Sequence, residues 1–375
     1  MPQCGMTVSS PAEEIRFFLP GPAYVLEDVR RALTAPMVAH RSPEFKDLYR
    51  SVTERLKPVF RTEQEVLTAT GSATLLMELA VVSTVRRDVL HLVNGAFSAR
   101  WHAVSLAAGK QADRIDVPWG RAVDPDLVRQ ALGRKRYDAV TLVHNETSTG
   151  VVNPLEDIAR GVKESSDALI LVDAVSSLGG APVETDAWGL DLVLTGGQKA
   201  LALPPGLSIL TDSDRALEQA ETVVPRGFYT DLLRYREKHE AAGPITTPMI
   251  SAFYAADVQL DRILNEGMEA RWQRHRELAE ATSEWVEARG LTWACDRAHR
   301  SWTVSCLRPP PGVAAPEVVA AAAEKGYTLG PGYGDFKPTT FRIGHMGEVR
   351  PRDLARLLAV LDDVLDELQD SSERD

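Results

Sequence analysis

The stretch DLVLTGGQKALALPPG (residues 191–206) reads as the end of a core strand and a tight turn that carries a lysine. A hydrophobic run stops at Thr195, two glycines turn the chain, and Lys199 precedes a second apolar segment closed by Pro-Pro-Gly. A lysine drawn into apolar surroundings is costly unless it is paired or neutralised. One use for such a lysine is a Schiff base with a carbonyl group. The other reading of these residues is a solvated lysine on a surface turn.

Upstream, LILVDAVSSLGG (169–180) places Asp173 at the end of a strand with no solvated face. An acid at that position needs a cationic partner. A protonated pyridine nitrogen would serve; a metal ion or a helix N-cap role are the other readings. A magnesium ion recruits several oxygen ligands, and the nearby acids Glu184 and Asp186 do not converge on Asp173 by spacing. Further upstream, TATGSATLLMELA (68–80) joins a predicted strand to a predicted helix. Gly71 allows the turn, and Ser72, Ala73 and Thr74 would offer backbone N–H groups and hydroxyls to a phosphate at the helix N-terminus. The same junction also reads as an ordinary capped helix.

From about Glu65 onward, short apolar strands alternate with helical patterns. That alternation predicts an α/β fold whose large domain holds a mainly parallel sheet covered on both faces. In such sheets ligands sit at the carboxyl ends of the strands. Residues 250–290 carry a long helical pattern without proline, read as one helix or as two with a bend near Gly267. The strands and helices after it predict a small α+β C-terminal domain. These patterns divide the chain into an N-terminal extension (1–20), a large cofactor-binding domain (21–263) and a small domain (264–375).

The chain has 375 residues, 44% hydrophobic and 25% charged, which is an ordinary globular composition. A formal net charge of −11 argues against a nucleic-acid binder. Cys4, Cys295 and Cys306 have neither disulfide-framework nor metal-type spacing, so no metal is expected and a reducing, cytoplasmic compartment is. The N-terminus lacks a basic start followed by a long apolar run, and no segment is apolar enough for a membrane span.

A phosphate turn, a buried aspartate and a lysine, in that chain order, are joined by LPGPAYV (19–25), HRSPEF (40–45), VNGAFSARW (93–101), HNETSTGVVNPL (144–155) and FRIGHMG (341–347). With these motifs the sequence resembles the class V aminotransferases of fold type I, in their alanine/serine–glyoxylate branch. The resemblance covers nearly the whole chain. It implies pyridoxal 5'-phosphate as cofactor, Lys199 as Schiff-base lysine and general base, and Asp173 as partner of the pyridine nitrogen. Val175 would pack under the ring and Phe97 would stack on its other face. Thr147 would contact the phenolic oxygen, and Ser72, Ala73, Thr74 and Gln198 the phosphate.

Arg342 would clamp the substrate carboxylate, and Gly21 would wall the substrate pocket. Arg41 and His40 lie near the site in relatives and could come from a partner chain. The resemblance also implies a homodimer in which Thr246 reaches the neighbouring subunit's phosphate. A tyrosine common three positions earlier is replaced by Gly243, for which Tyr229 is a candidate substitute. The expected reaction moves the amino group of an alanine- or serine-like amino acid to an oxo acid such as glyoxylate or pyruvate. The alternatives are a phosphonate or phosphoserine aminotransferase, with Arg41 or Arg226 on the second anion, or a β-lyase or desulfurase. The desulfurase would need a cysteine that residues 329–345 lack.

Overall fold

The structure, a computed structural model, describes residues 14–372. Among these, seven strands form the large sheet in the order Val66–Thr70, Leu207–Asp212, Leu192–Gly196, Leu169–Asp173, Ala139–Val143, Asp88–Val93, Gln111–Asp116. Only Leu207–Asp212 runs antiparallel to its neighbours. The three strands centred on Leu169–Asp173 are buried along their whole length. That is why they read as unbroken apolar runs and not as an alternation.

Helices cover both faces. One layer packs the helix Pro43–Phe60 and the helix Ile250–Glu266 over the sheet; the other packs Ala73–Thr84 and Trp101 on the opposite face. The helix Pro43–Phe60, which the reading from Glu65 onward left out, starts at Ser42. Its hydroxyl accepts from Phe45 N at 3.3 Å, and Pro43 follows in the first turn.

The long helical pattern is two helices, Ile250–Glu266 and Met268–Ala288, broken at Gly267 with φ +81°. A left-handed backbone there is what glycine tolerates and other residues resist. Beyond the break lies the small sheet, in the order Phe17–Phe18, Thr328–Pro331, Phe341–Gly344, Val304–Arg308, Thr292–Trp293. Phe17–Phe18 pairs in parallel with Thr328 and Leu329, so the N-terminal segment completes this sheet and then crosses to the large one. The helix Pro351–Ser372 buries Leu354, Leu357, Leu361 and Leu365 against it. Among the described residues no helix is long and apolar enough to cross a membrane.

The parallel arrangement gathers the carboxyl ends of five strands at one edge. Gly71, Asn94 and His144 follow those ends directly, and Asp173 and Gly196, which opens the turn to Lys199, are the last residues of their strands.

Candidate active site

Ser72, Ala73, Thr74, Phe97, Thr147, Asp173, Val175, Gln198 and Lys199 line one pocket at this edge. The helix Ala73–Thr84 begins there. Ser72 occupies its N-cap position, yet its side chain makes no capping bond, so the hydroxyl and the first-turn N–H groups are available to an anion.

Asp173 is 3% exposed and its carboxylate accepts one hydrogen bond, from Val175 N at 2.8 Å. Burial pushes its carboxyl up to about 7; the nearby Glu146 adds to this, while the Val175 N–H, Lys199 and Arg100 oppose it. Lys199 is 8% exposed and its amine donates to Pro20 O. Burial brings the amine down to about 7, helped by Arg342 and opposed by Asp173 and Glu146. Two buried groups of opposite type, each displaced toward neutrality, mark a reactive site. The pair also fits pyridoxal phosphate: Asp173 lacks the cation a buried carboxylate requires, and a protonated ring nitrogen supplies one.

The walls are tight around the amine. A Cβ on Gly21 would lie 2.3 Å from Lys199 Cδ and Cε, and 2.8 Å from Nζ. The Lys199 amine is 5.6 Å from the Phe97 ring centre. Thr147 is buried and shares a hydrogen bond with the Ser176 hydroxyl. Arg342 donates from Nε to Pro331 O at 2.9 Å and from Nη1 to Thr147 O at 3.0 Å. Among the described residues its Nη2 has no partner, which leaves a guanidinium edge for a carboxylate.

Three of the expected residues lie elsewhere in the chain. His40, Arg41 and Thr246 share a second hollow with Lys46, Lys238 and Gly243. Thr246 Oγ1 is 3.5 Å from the Tyr229 hydroxyl, which donates to Thr70 O at 3.1 Å. Arg226 is taken up by Asp231 at 2.8 Å and by two backbone carbonyls. Asp186 accepts from Thr62 Oγ1 and Glu63 N. Among the described residues no cluster of three metal-type ligands occurs.

Two functional side chains escaped the sequence reading. Glu146 is fully buried beside Thr147. Its carboxylate accepts from the N–H groups of Phe97 (3.1 Å), Ser98 (3.0 Å) and Ser148 (3.2 Å). It also accepts from the hydroxyls of Ser98 (3.0 Å) and Ser148 (2.6 Å). A negative charge at the first turn of the helix Ala96–Ala107 is favourable, and it fixes Phe97 relative to Thr147. The signal was present: an acid at the end of an apolar strand, by the argument already applied to Asp173. Whichever way it is placed, Glu146→Gln turns an amide NH₂ toward at least one backbone N–H, which can only donate. It is expected to destabilise the protein by about 2–3 kcal/mol, read by urea unfolding at pH 7; an unchanged midpoint would show that the network relaxes around the amide.

Arg271 is likewise fully buried. Its guanidinium donates to Gly179 O (3.0 Å), Ala200 O (2.8 Å) and Gly347 O (3.1 Å), and pairs with Glu266 and Glu348. It thereby ties the turns that follow Asp173, Lys199 and Arg342 to the start of the helix Met268–Ala288.

The sheet edge, the open helix N-terminus at Ser72 and the Asp173–Lys199 pair have the layout of a pyridoxal-phosphate-dependent transferase. Residues 26–326 match the profile of the family Aminotransferase class-V, and the chain belongs to that family. An uncharacterised aminotransferase of Methanocaldococcus jannaschii is 38% identical over 93% of this chain and 92% of its own. A serine–glyoxylate aminotransferase of Methylorubrum extorquens is 32% identical over 91% and 89%. The solved structure of an aspartate aminotransferase of subgroup IV from Thermus thermophilus superposes with a TM-score of 0.88 at 31% identity, covering 94% of this chain and all of that one. The protein is therefore a class V aminotransferase that uses pyridoxal phosphate and exchanges an amino group between an amino acid and an oxo acid.

Proposed function

We propose that the amino donor is a small amino acid, alanine- or serine-like, that the acceptor is glyoxylate or pyruvate, and that the two half-reactions alternate on one site. The observation that carries this is the pairing of Asp173 and Lys199 in one buried pocket beside an arginine with a free edge. Bound pyridoxal phosphate supplies an electron sink for the α-carbon. Asp173 keeps its ring nitrogen protonated, so the sink stays strong. Ser72, Thr74 and Gln198 hold the phosphate, while Phe97 and Val175 fix the ring plane. Arg342 binds the substrate carboxylate through its open edge. Lys199, uncharged once its amine titrates near 7, accepts the α-proton and returns it at the neighbouring position. Gly21 packs directly against the Lys199 stem, and a side chain there would displace it.

The same reading includes a homodimer in a reducing, cytoplasmic compartment. Thr246, Arg41 and His40 form a hollow apart from Lys199, as groups serving a partner's site would. Cys295 and Cys306 are both buried and free. Tyr229, whose hydroxyl lies 3.5 Å from Thr246 Oγ1, is the candidate for the role of the missing tyrosine. The desulfurase alternative loses support because Cys306 is buried in the strand Val304–Arg308, its thiol pushed up by that burial.

The test is spectroscopic. The purified holoprotein should show a visible cofactor band that borohydride removes. Alanine or serine should bleach it, and glyoxylate or pyruvate should restore it. A cofactor band that no amino acid and oxo acid pair cycles would overturn the donor and acceptor assignment.

A further inference from the structure

The loop between the strands Thr328–Pro331 and Phe341–Gly344 places Tyr333 against Phe97 and Arg100, two residues that line the pocket. Its ring stacks on Phe97 at 5.5 Å between centres, with 21° between planes. Its hydroxyl accepts from Arg100 Nη2 at 3.1 Å, and the Arg342 guanidinium lies 5.5 Å from its ring centre. Arg100 in turn lies over Phe97 at 4.8 Å.

The loop is held from several sides. Gly332 N donates to Thr340 O, and Thr340 Oγ1 to Phe336 O at 2.8 Å. The Phe336 ring meets Trp119 edge-on at 5.3 Å. A Cβ on Gly332 would come within 2.6 Å of two backbone oxygens, so the turn leaves no slack for a larger residue. Tyr333 is therefore a wall held in place although it is 36% exposed.

We infer that Tyr333, braced by Arg100 and Phe97, sets the size of the amino donor's side chain. The inference rests on the proposed roles of Arg342 and Lys199. A donor with its carboxylate on Arg342 and its α-proton toward Lys199 has one substituent left to place. Gly21 closes the Lys199 side. Tyr333 touches both the carboxylate clamp and the Phe97 ring, so a substituent lying between those two groups meets its ring. An aromatic wall there admits a methyl or hydroxymethyl group and excludes branched chains.

The test compares alanine with leucine on the holoenzyme of the wild type, Tyr333→Ala and Tyr333→Phe. It also compares binding of 2-aminoisobutyrate and 2-methylleucine by calorimetry, since neither carries an α-proton and both report fit without turnover. Tyr333→Ala should shift the leucine-to-alanine ratio of kcat/KM toward leucine by about tenfold or more, and the ratio of the two Kd values in the same sense. Tyr333→Phe, which keeps the ring, should retain the wild-type ratios. General loosening of the loop would weaken both ligands alike and leave the ratios unchanged; that outcome overturns the assignment of Tyr333. A wild type that turns over neither alanine nor leucine overturns the transamination roles themselves.

Discussion

Replacing Lys199 by alanine is expected to lower transamination by about 10⁴-fold or more, because in the proposed function one side chain both anchors the cofactor and carries the α-proton. The substitution leaves a void where the Lys199 stem passes Gly21, and removes the bond from its amine to Pro20 O. A small primary amine added to the variant should restore part of the rate, since it can accept the proton from the vacated position. Retention of a tenth of the wild-type rate without added amine would remove Lys199 from the proton-transfer role.

The same variant has a stability signature. The folded state holds the Lys199 amine near 7, below the 10.5 of an unperturbed lysine. Between those values the unfolded chain binds a proton that the folded apoprotein does not, so stability rises with pH across the window. The contribution is fully present above 10.5 and lost as pH falls through 7. Urea unfolding of the apoprotein at pH 6.5 and 9.5 should show this rise in the wild type and a smaller one in Lys199→Ala.

Residues that declare themselves through their immediate neighbours were legible in the chain. Asp173 ends an apolar run, Lys199 follows a Gly-Gly turn, and Gly71–Thr74 joins a strand to a helix; each is a local pattern whose physical cost is visible without coordinates. The break at Gly267 belongs to the same kind. What stayed hidden acts across the fold. Arg271 looks like one more charge on a helix until its donors are seen on Gly179, Ala200 and Gly347, residues more than seventy positions away. Tyr333 sits in a loop whose composition says only that it turns; its role follows from stacking on Phe97, far off in sequence. The division of Thr246 and Arg41 from the Lys199 pocket is a matter of which surfaces meet, and periodicity carries no such information.

Asp173→Asn should separate stability from activity. In the apoprotein the wild-type carboxyl is buried, has one hydrogen bond and lacks a cation in contact, so its folded pKa is raised to about 7 from 3.8. A group raised in the folded state contributes stability below its unfolded pKa and loses it as pH rises through the folded one. The apoprotein should therefore lose stability between about pH 4 and 7, and above 7 it carries the full cost of a buried charge. Asparagine keeps an oxygen for the Val175 N–H and removes the charge. The apo variant is expected to be more stable than wild type at pH 8 by on the order of 2–4 kcal/mol, with a flatter profile between pH 4 and 7. The holoenzyme should show the reverse. On the role proposed for Asp173, the ring nitrogen would lose its proton without the anion, the electron sink would weaken, and the rate should fall by about 10²–10⁴-fold. Cofactor should also be released more readily on dialysis. Parallel measurements of apo stability and holo turnover read both effects. A variant less stable than wild type in the apo form would mean that Asp173 is already paired without the cofactor. The charge the fold tolerates at a cost when empty would then not be the charge that the cofactor repays.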